Sequence, residues 1–290
     1  MSEHASIKQL TFNASARTVP VKWSNFLAPQ KSATQRYNAI DEFYVTHRGL
    51  NVLGALAAGE ALEGDLRLLL ADQILLGYVS ATEQFLRRLM ASTVRLCPHT
   101  RARAASQQIS FSAIDYYHSQ DIEHALTERV SFSEPGKVSN ALGQRLGVKV
   151  PPSSSLERAI DEFEQLCQLR HALVHSRGVV NSSNAQGFDL PSLKSQYAVN
   201  AGAAELQSAA GICLNLVREA NEATAKSVLW CWLREGTLTG RKIKDKPRLT
   251  KFLETYSSRS DETDGVDSPK LDDLIATCVS ILDDLAQKSA

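Results

Sequence analysis

Several features that announce a function are missing from this sequence. Only five cysteines occur, at positions 97, 167, 213, 231 and 278. No two have CxxC spacing and the number is odd, which excludes a disulfide framework and a structural zinc site and points to a reducing cytoplasm. There is no excess of either charge: Lys+Arg and Asp+Glu are both 32. That balance argues against a general nucleic-acid coat or a polybasic membrane surface, while leaving room for a local basic cleft. No apolar run approaches the length of a membrane span. The N-terminal "MSEHASIKQL" lacks the apolar core of a signal peptide. No GxSxG or P-loop string appears, so nothing marks a nucleophile elbow or a nucleotide cradle.

What is present is an ordinary globular composition, 43% hydrophobic and 22% charged over 290 residues. It allows one large or two small domains. "IKQLTF" and "VPVKW" alternate like short extended segments within an N-terminal extension, residues 1–60. From about Ser32 the pattern turns helical, interrupted by Gly49, Gly54 and Gly59. A long helix is expected from Glu60 to Leu96, with Leu68, Leu75, Val79, Leu86 and Leu89 on one face and Tyr78, Phe85 and Met90 widening it. Cys97-Pro98 ends it. Residues 99–150 break into short pieces, with a turn at "EPGK" and a stop at Gly147. Ser154 and Glu157 signal a capping box for the next helix. A further long helix spans Ala203 to Arg234, preceded by a short extended piece at Tyr197–Val199. Residues 237–268 read as a basic segment followed by a flexible linker. A last helix, 269–290, carries Leu271, Leu274, Cys278, Ile281 and Leu285; it can pack on its own domain, the preferred expectation, or on a second chain.

The informative stretch is "CQLRHALVHSRGVVN", residues 167–181. Leu156, Ile160, Phe163 and Cys167 form an apolar stripe whose next members are Arg170 and Val174. An arginine on such a stripe must meet an anion or reach water, because guanidinium keeps its proton. His171 and His175 are four apart and share a helix face. A cation cluster at a helix C-terminus is favoured by the macrodipole, but that accounts for exposed cations only. The chemical alternative is a phosphate site. Arginine offers a planar fork to phosphate oxygens, and histidine exchanges protons near neutral pH. The two suffice to cleave RNA without metal: a base removes the ribose 2′-OH proton, that oxygen attacks phosphorus, arginine stabilises the phosphoryl charge, and an acid protonates the leaving 5′ oxygen.

"RHALVH" followed by "SRG", on the third long helix of an all-α unit, resembles the HEPN superfamily, whose signature is an arginine, four to six residues, then a histidine, with a polar residue after the arginine. "YVSATEQFLRRLM", centred on Glu83, is similar to the first core helix of such domains. The resemblance covers roughly residues 65–235, within a helical domain of 61–236. It implies an all-α HEPN-like helical bundle and a metal-independent endoribonuclease with no cofactor. It also implies a homodimer whose two motifs face each other, with RNA as partner. Many members are toxins or anti-phage effectors, so a cognate antitoxin or inhibitor is a further implied partner. Other members are silent modules for RNA or protein binding. On this basis Arg170 is the phosphate clamp, His175 the general base or acid, His171 a polar orienter, and Glu83 a supporting carboxylate that would otherwise be read as solvated.

Residues 170 and 175 point about 140° apart on an ideal helix. Either the last turn unwinds before Gly178 or a partner subunit supplies the second group. A zinc site is disfavoured because Ala172 stands where HExxH needs its glutamate. Cys167 sits on the apolar stripe and reads as packing. Arg177, Lys242 and Lys244 are candidate RNA contacts. The expected location is the cytoplasm, with no membrane partner.

Overall fold

The computed structural model describes residues 26–27, 38–59, 64–185, 188, 190, 195–263 and 268–289. The segments at 7–12 and 19–23, read from sequence as extended, lie outside them. The chain divides into residues 1–36 and 37–290; everything below concerns the second unit.

The second unit is all-α. Its elements are α1 (Ala39–Ala58), α2 (Gly64–Leu96), α3 (Pro98–Ala104), α4 (Phe111–Asp121), α5 (Lys137–Ala141), α6 (Ser155–Ser176), α7 (Ser182–Ala185), α8 (Ala203–Arg234), α9 (Lys242–Tyr256), α10 (Arg259–Thr263) and α11 (Leu271–Ser289). A 3₁₀ turn follows α4 at Ile122–Leu126, and a π turn extends α5 to Leu146. Among the described residues the only bridge between extended segments is Val179 with Ala198. It is flanked by Val199 N–H to Gly178 O and Val180 N–H to Tyr197 O, each 2.8 Å. This is the extended piece expected at 197–199.

α1, α2, α6 and α8 pack on one another around a single core. α2 contributes Leu75, Tyr78, Val79, Phe85, Leu86, Leu89 and Met90 to it, all buried. Leu68, expected on the same face, is 41% exposed. Leu66 and Leu69, in the same first turns of α2, are exposed as well. α1 continues through Gly49 and Gly54 and ends at Gly59. Packing on α2 and α8 outweighs the roughly 1 kcal/mol that each helical glycine costs. Gly77 on α2 has a packing reason: a Cβ there would stand 2.7 Å from Leu50 of α1.

The region 237–268 departs from the sequence reading. Its basic run is α9, which buries Leu249, Phe252 and Tyr256. Their spacing of three and four is helical, but the run of lysines and arginines on the outer face hid it. Asp245 is buried and accepts from the Thr239 N–H with both carboxylate oxygens, at 3.1 and 2.9 Å. α10 follows where a linker was expected. Buried Asp41 of α1 holds its start by accepting from Ser258 Oγ at 2.7 Å and from the Arg259 and Ser260 N–H groups at 3.3 Å. α11 packs chiefly on α9 and sends Leu274, Ile275 and Cys278 into the core. No described helix is long and apolar enough to cross a membrane.

Candidate functional site

The site begins with the cap of α6. Ser154 Oγ accepts the Glu157 N–H at 3.1 Å. Glu157 returns its carboxylate to the Ser153 N–H at 2.5 Å, one residue earlier than a strict capping box places it. The helix then buries Leu156, Ile160, Phe163 and Cys167. The step from Leu156 to Val174 is five full turns, so Val174 points the same way as Leu156. Yet Val174 is 48% exposed and Arg170 is half-buried. The stripe has not rotated; at Arg170 it leaves the core and faces a cleft.

That cleft has a volume of about 330 Å³ and is lined by Arg170 and His171 of α6, Glu83 and Arg87 of α2, and the loop 128–134. The loop is pinned from both sides. The Arg87 guanidinium donates to Thr127 O and, at 2.6 Å, to Val130 O. It also lies 5.2 Å from the centroid of the Phe132 ring, which is fully buried. Just past the loop, the Glu164 carboxylate of α6 accepts the Gly136 N–H at 2.7 Å, where Gly136 has φ +72°. Burial raises the Glu164 carboxyl above its ordinary range, and the Gly136 N–H partly offsets this.

Arg87 is therefore committed to backbone carbonyls. Arg170 forms no hydrogen bond or ion pair among the described residues, and neither does Arg129 on the same wall, so these two are the cations the cleft leaves for a ligand. The walls also carry Arg129, Ser131 and Ser133. Their acidic members are Glu83, Glu128 and Glu134, so the cleft of one chain is not strongly positive. Glu134 is engaged with Lys137 at 3.4 Å.

α6 remains helical through Ser176, so the last turn does not unwind. Arg177 caps it at φ +51°, and Gly178 follows at φ +83° with its N–H on Ala172 O at 2.9 Å. Arg170 and His175 thus keep their divergent directions. His171 lines the cleft and His175, exposed, does not. The two rings stack, with centroids 5.4 Å apart and planes inclined by 29°. Burial, then Arg170, then His175 lower the His171 pKa, so its imidazole is neutral at pH 7.

Cys167 lies under this cleft, buried, and burial followed by Glu83 pushes its thiol far up. A thiol so held is packing and not a nucleophile. Lys242 and Lys244 stand on α9, neither lines the cleft, and Lys242 pairs with Asp272 of α11 at 2.8 Å. Arg177 is exposed at the end of α6. Among the described residues no three His, Cys, Asp or Glu side chains converge as metal ligands. The sequence reading missed Arg87 and the loop 128–134. Arg87 carried a faint signal, since it lies four residues after Glu83 and shares its helix face. No protein-family profile, characterised protein or solved structure matches this chain significantly.

Proposed function

We propose that this chain is a metal-independent endoribonuclease of HEPN type that cleaves RNA by 2′-OH attack and acts as a homodimer. One observation carries the reading. An arginine without a protein partner lines a cleft beside a neutral histidine, and that histidine stacks on a second one. Arg170 clamps the scissile phosphate. His171, already in the cleft, orients the linkage, and His175 transfers the proton. Glu83, on the cleft wall with Arg170 and His171, is the supporting carboxylate in this reading. Because α6 does not unwind, the partner's copy of the motif supplies the group that one helix cannot aim. Arg177 extends the phosphate path beyond the helix end. A cytoplasmic toxin or anti-phage effector, restrained by a cognate inhibitor, is the setting that fits such an activity.

The experiment is RNA cleavage in EDTA. Cleavage should persist in the chelator and fall about 10²- to 10⁴-fold in His175→Ala. RNA left intact, or cut equally by the variant, sinks the reading. A second reading has its own support: the equal number of acidic and basic residues on the cleft walls, and His175 outside them, suit a silent module that binds RNA or protein. Tight RNA binding without any cleavage would favour it.

A further inference from the structure

A larger cavity, about 870 Å³, opens at the other end of α6, between that helix, the turn after α5, α3 and the last turns of α8. Ser155 lines it, and Arg170 lies roughly 22 Å farther along the helix axis at 1.5 Å per residue. The two sites share no lining residue. The volume falls within the range of small-ligand pockets, about 300–1,000 Å³.

Two kinds of group line it that packing does not require there. The first is aromatic. Trp230 is 50% exposed while its neighbour Trp232 is fully buried. A half-exposed indole on the wall of a concave site offers a stacking face. The second is cationic: Arg103, Lys149, Lys226 and Arg234 all line the cavity. Lys226 is paired with Glu222, and Arg234 with Glu235 at 2.7 Å. Arg103 and Lys149 have no side-chain partner among the described residues. Arg103 lies against the backbone of Gly147, where a Cβ would come within 2.9 Å of its Nη2. Gly147 also has φ +73°. The glycine leaves room for the guanidinium at the cavity wall.

We propose that this cavity binds a nucleotide, with the base stacked on Trp230 and the phosphates held by Arg103 and Lys149. An acidic peptide would use the cations but leave the indole face idle. A plain hydrophobic ligand would leave two cations unpaired. A ring joined to phosphate uses both. The nucleotide is either free or the end of an RNA strand, and the chemistry of recognition is common to the two.

The test is equilibrium titration of the full chain, followed by tryptophan emission and calorimetry. The probes are ATP, adenosine, inorganic pyrophosphate and a short single-stranded RNA. ATP or the RNA should bind, and which of them does so identifies the source. Adenosine and pyrophosphate should each be at least tenfold weaker. Trp230→Ala should lose roughly 5- to 150-fold in affinity, the range of one base–aromatic stack, with Trp230→Phe recovering part of it. Arg103→Ala should lose about tenfold or more. Lys149→Ala, on an exposed position, gives the same test if Arg103→Ala melts early. Pyrophosphate binding as tightly as ATP, affinity unchanged by Trp230→Ala, or no binding of either ATP or RNA overturns the proposal. Arg170→Ala should leave ATP binding intact, so failure here and failure of the nuclease reading are separate results.

Discussion

The His171 and His175 rings lie 5.4 Å apart, one turn from each other on α6, and Arg170 stands next to the first of them. Charging the His171 imidazole so close to a guanidinium is costly. The structure resolves this by burying His171 enough to keep it neutral. In an NMR titration the His171 ring should therefore protonate below its ordinary 6.5. Arg170→Gln and His175→Gln should each raise its midpoint, Arg170→Gln the more. RNA cleavage should fall on the acid side of the same window, since protonation places a second cation beside Arg170 and takes from His171 the lone pair with which it orients the linkage. A His171 midpoint at or above 6.5 would contradict this account.

A dimeric site predicts complementation. If Arg170 of one subunit acts with His175 of the other, Arg170→Ala and His175→Ala homodimers are both inactive. Mixing them in equal amounts and allowing exchange should produce mixed dimers in which one of the two sites is whole. About a quarter of the wild-type rate should return, from half the dimers with one site in two. If each cleft draws both groups from one chain, mixed dimers restore nothing, and the rate stays at the level of the separate variants.

Arg87 makes a different prediction. It holds the cleft wall through two backbone carbonyls and the face of Phe132. Arg87→Ala leaves those carbonyls without donors and should cost about 1–3 kcal/mol in denaturant unfolding. Arg87→Lys should recover only part, since an ammonium cannot span two acceptors as a planar fork does. Amide exchange in residues 127–134 should speed up in both variants. Unchanged exchange would show that the loop stands without Arg87.

How much of this could be read from the sequence depended on whether each signal was local. The limits of α8 and the cap of α6 follow from periodicity and from Ser154, both local facts. Arg170 stood out because a charge broke an apolar stripe. What covers that stripe is a tertiary fact, so the sequence could not show that Val174, in the same register, is half exposed. It could not show that the 128–134 loop closes the cleft, because Arg87 reaches that loop only once α2 is packed. α9 was hidden for another reason. Its solvent face is so basic that composition outweighed the Leu249, Phe252, Tyr256 spacing beneath it. Lys149, Arg103 and Trp230 lie far apart in the chain and share no motif, so only the packed helices bring them to one cavity.

His47 tests the core rather than the site. It is buried on α1, with Nε2 at 3.1 Å from Ala210 O and Nδ1 at 3.4 Å from the Asn51 amide nitrogen. Tyr78 donates to Asn51 Oδ1 at 2.6 Å, which directs the Asn51 amide nitrogen at the ring. The imidazole therefore donates through Nε2 to Ala210 O and accepts at Nδ1, and it is neutral. Protonation would place an N–H against the Asn51 NH₂ group. Burial lowers the pKa first, and Arg218 and Arg48 lower it further. The folded value thus lies below the unfolded 6.5, the unfolded chain binds more protons between the two, and stability falls as pH drops through that window. His124 and His171 shift in the same direction and add to the slope. Denaturant midpoints should be flat between about pH 7.5 and 8 and decline below 6.5, while above that plateau the buried thiols, raised in the folded chain, lower stability in turn. His47→Gln can keep a donor to Ala210 O without titrating, so its curve should decline less steeply than wild type. Parallel curves for the two proteins would show that His47 protonation is not linked to folding.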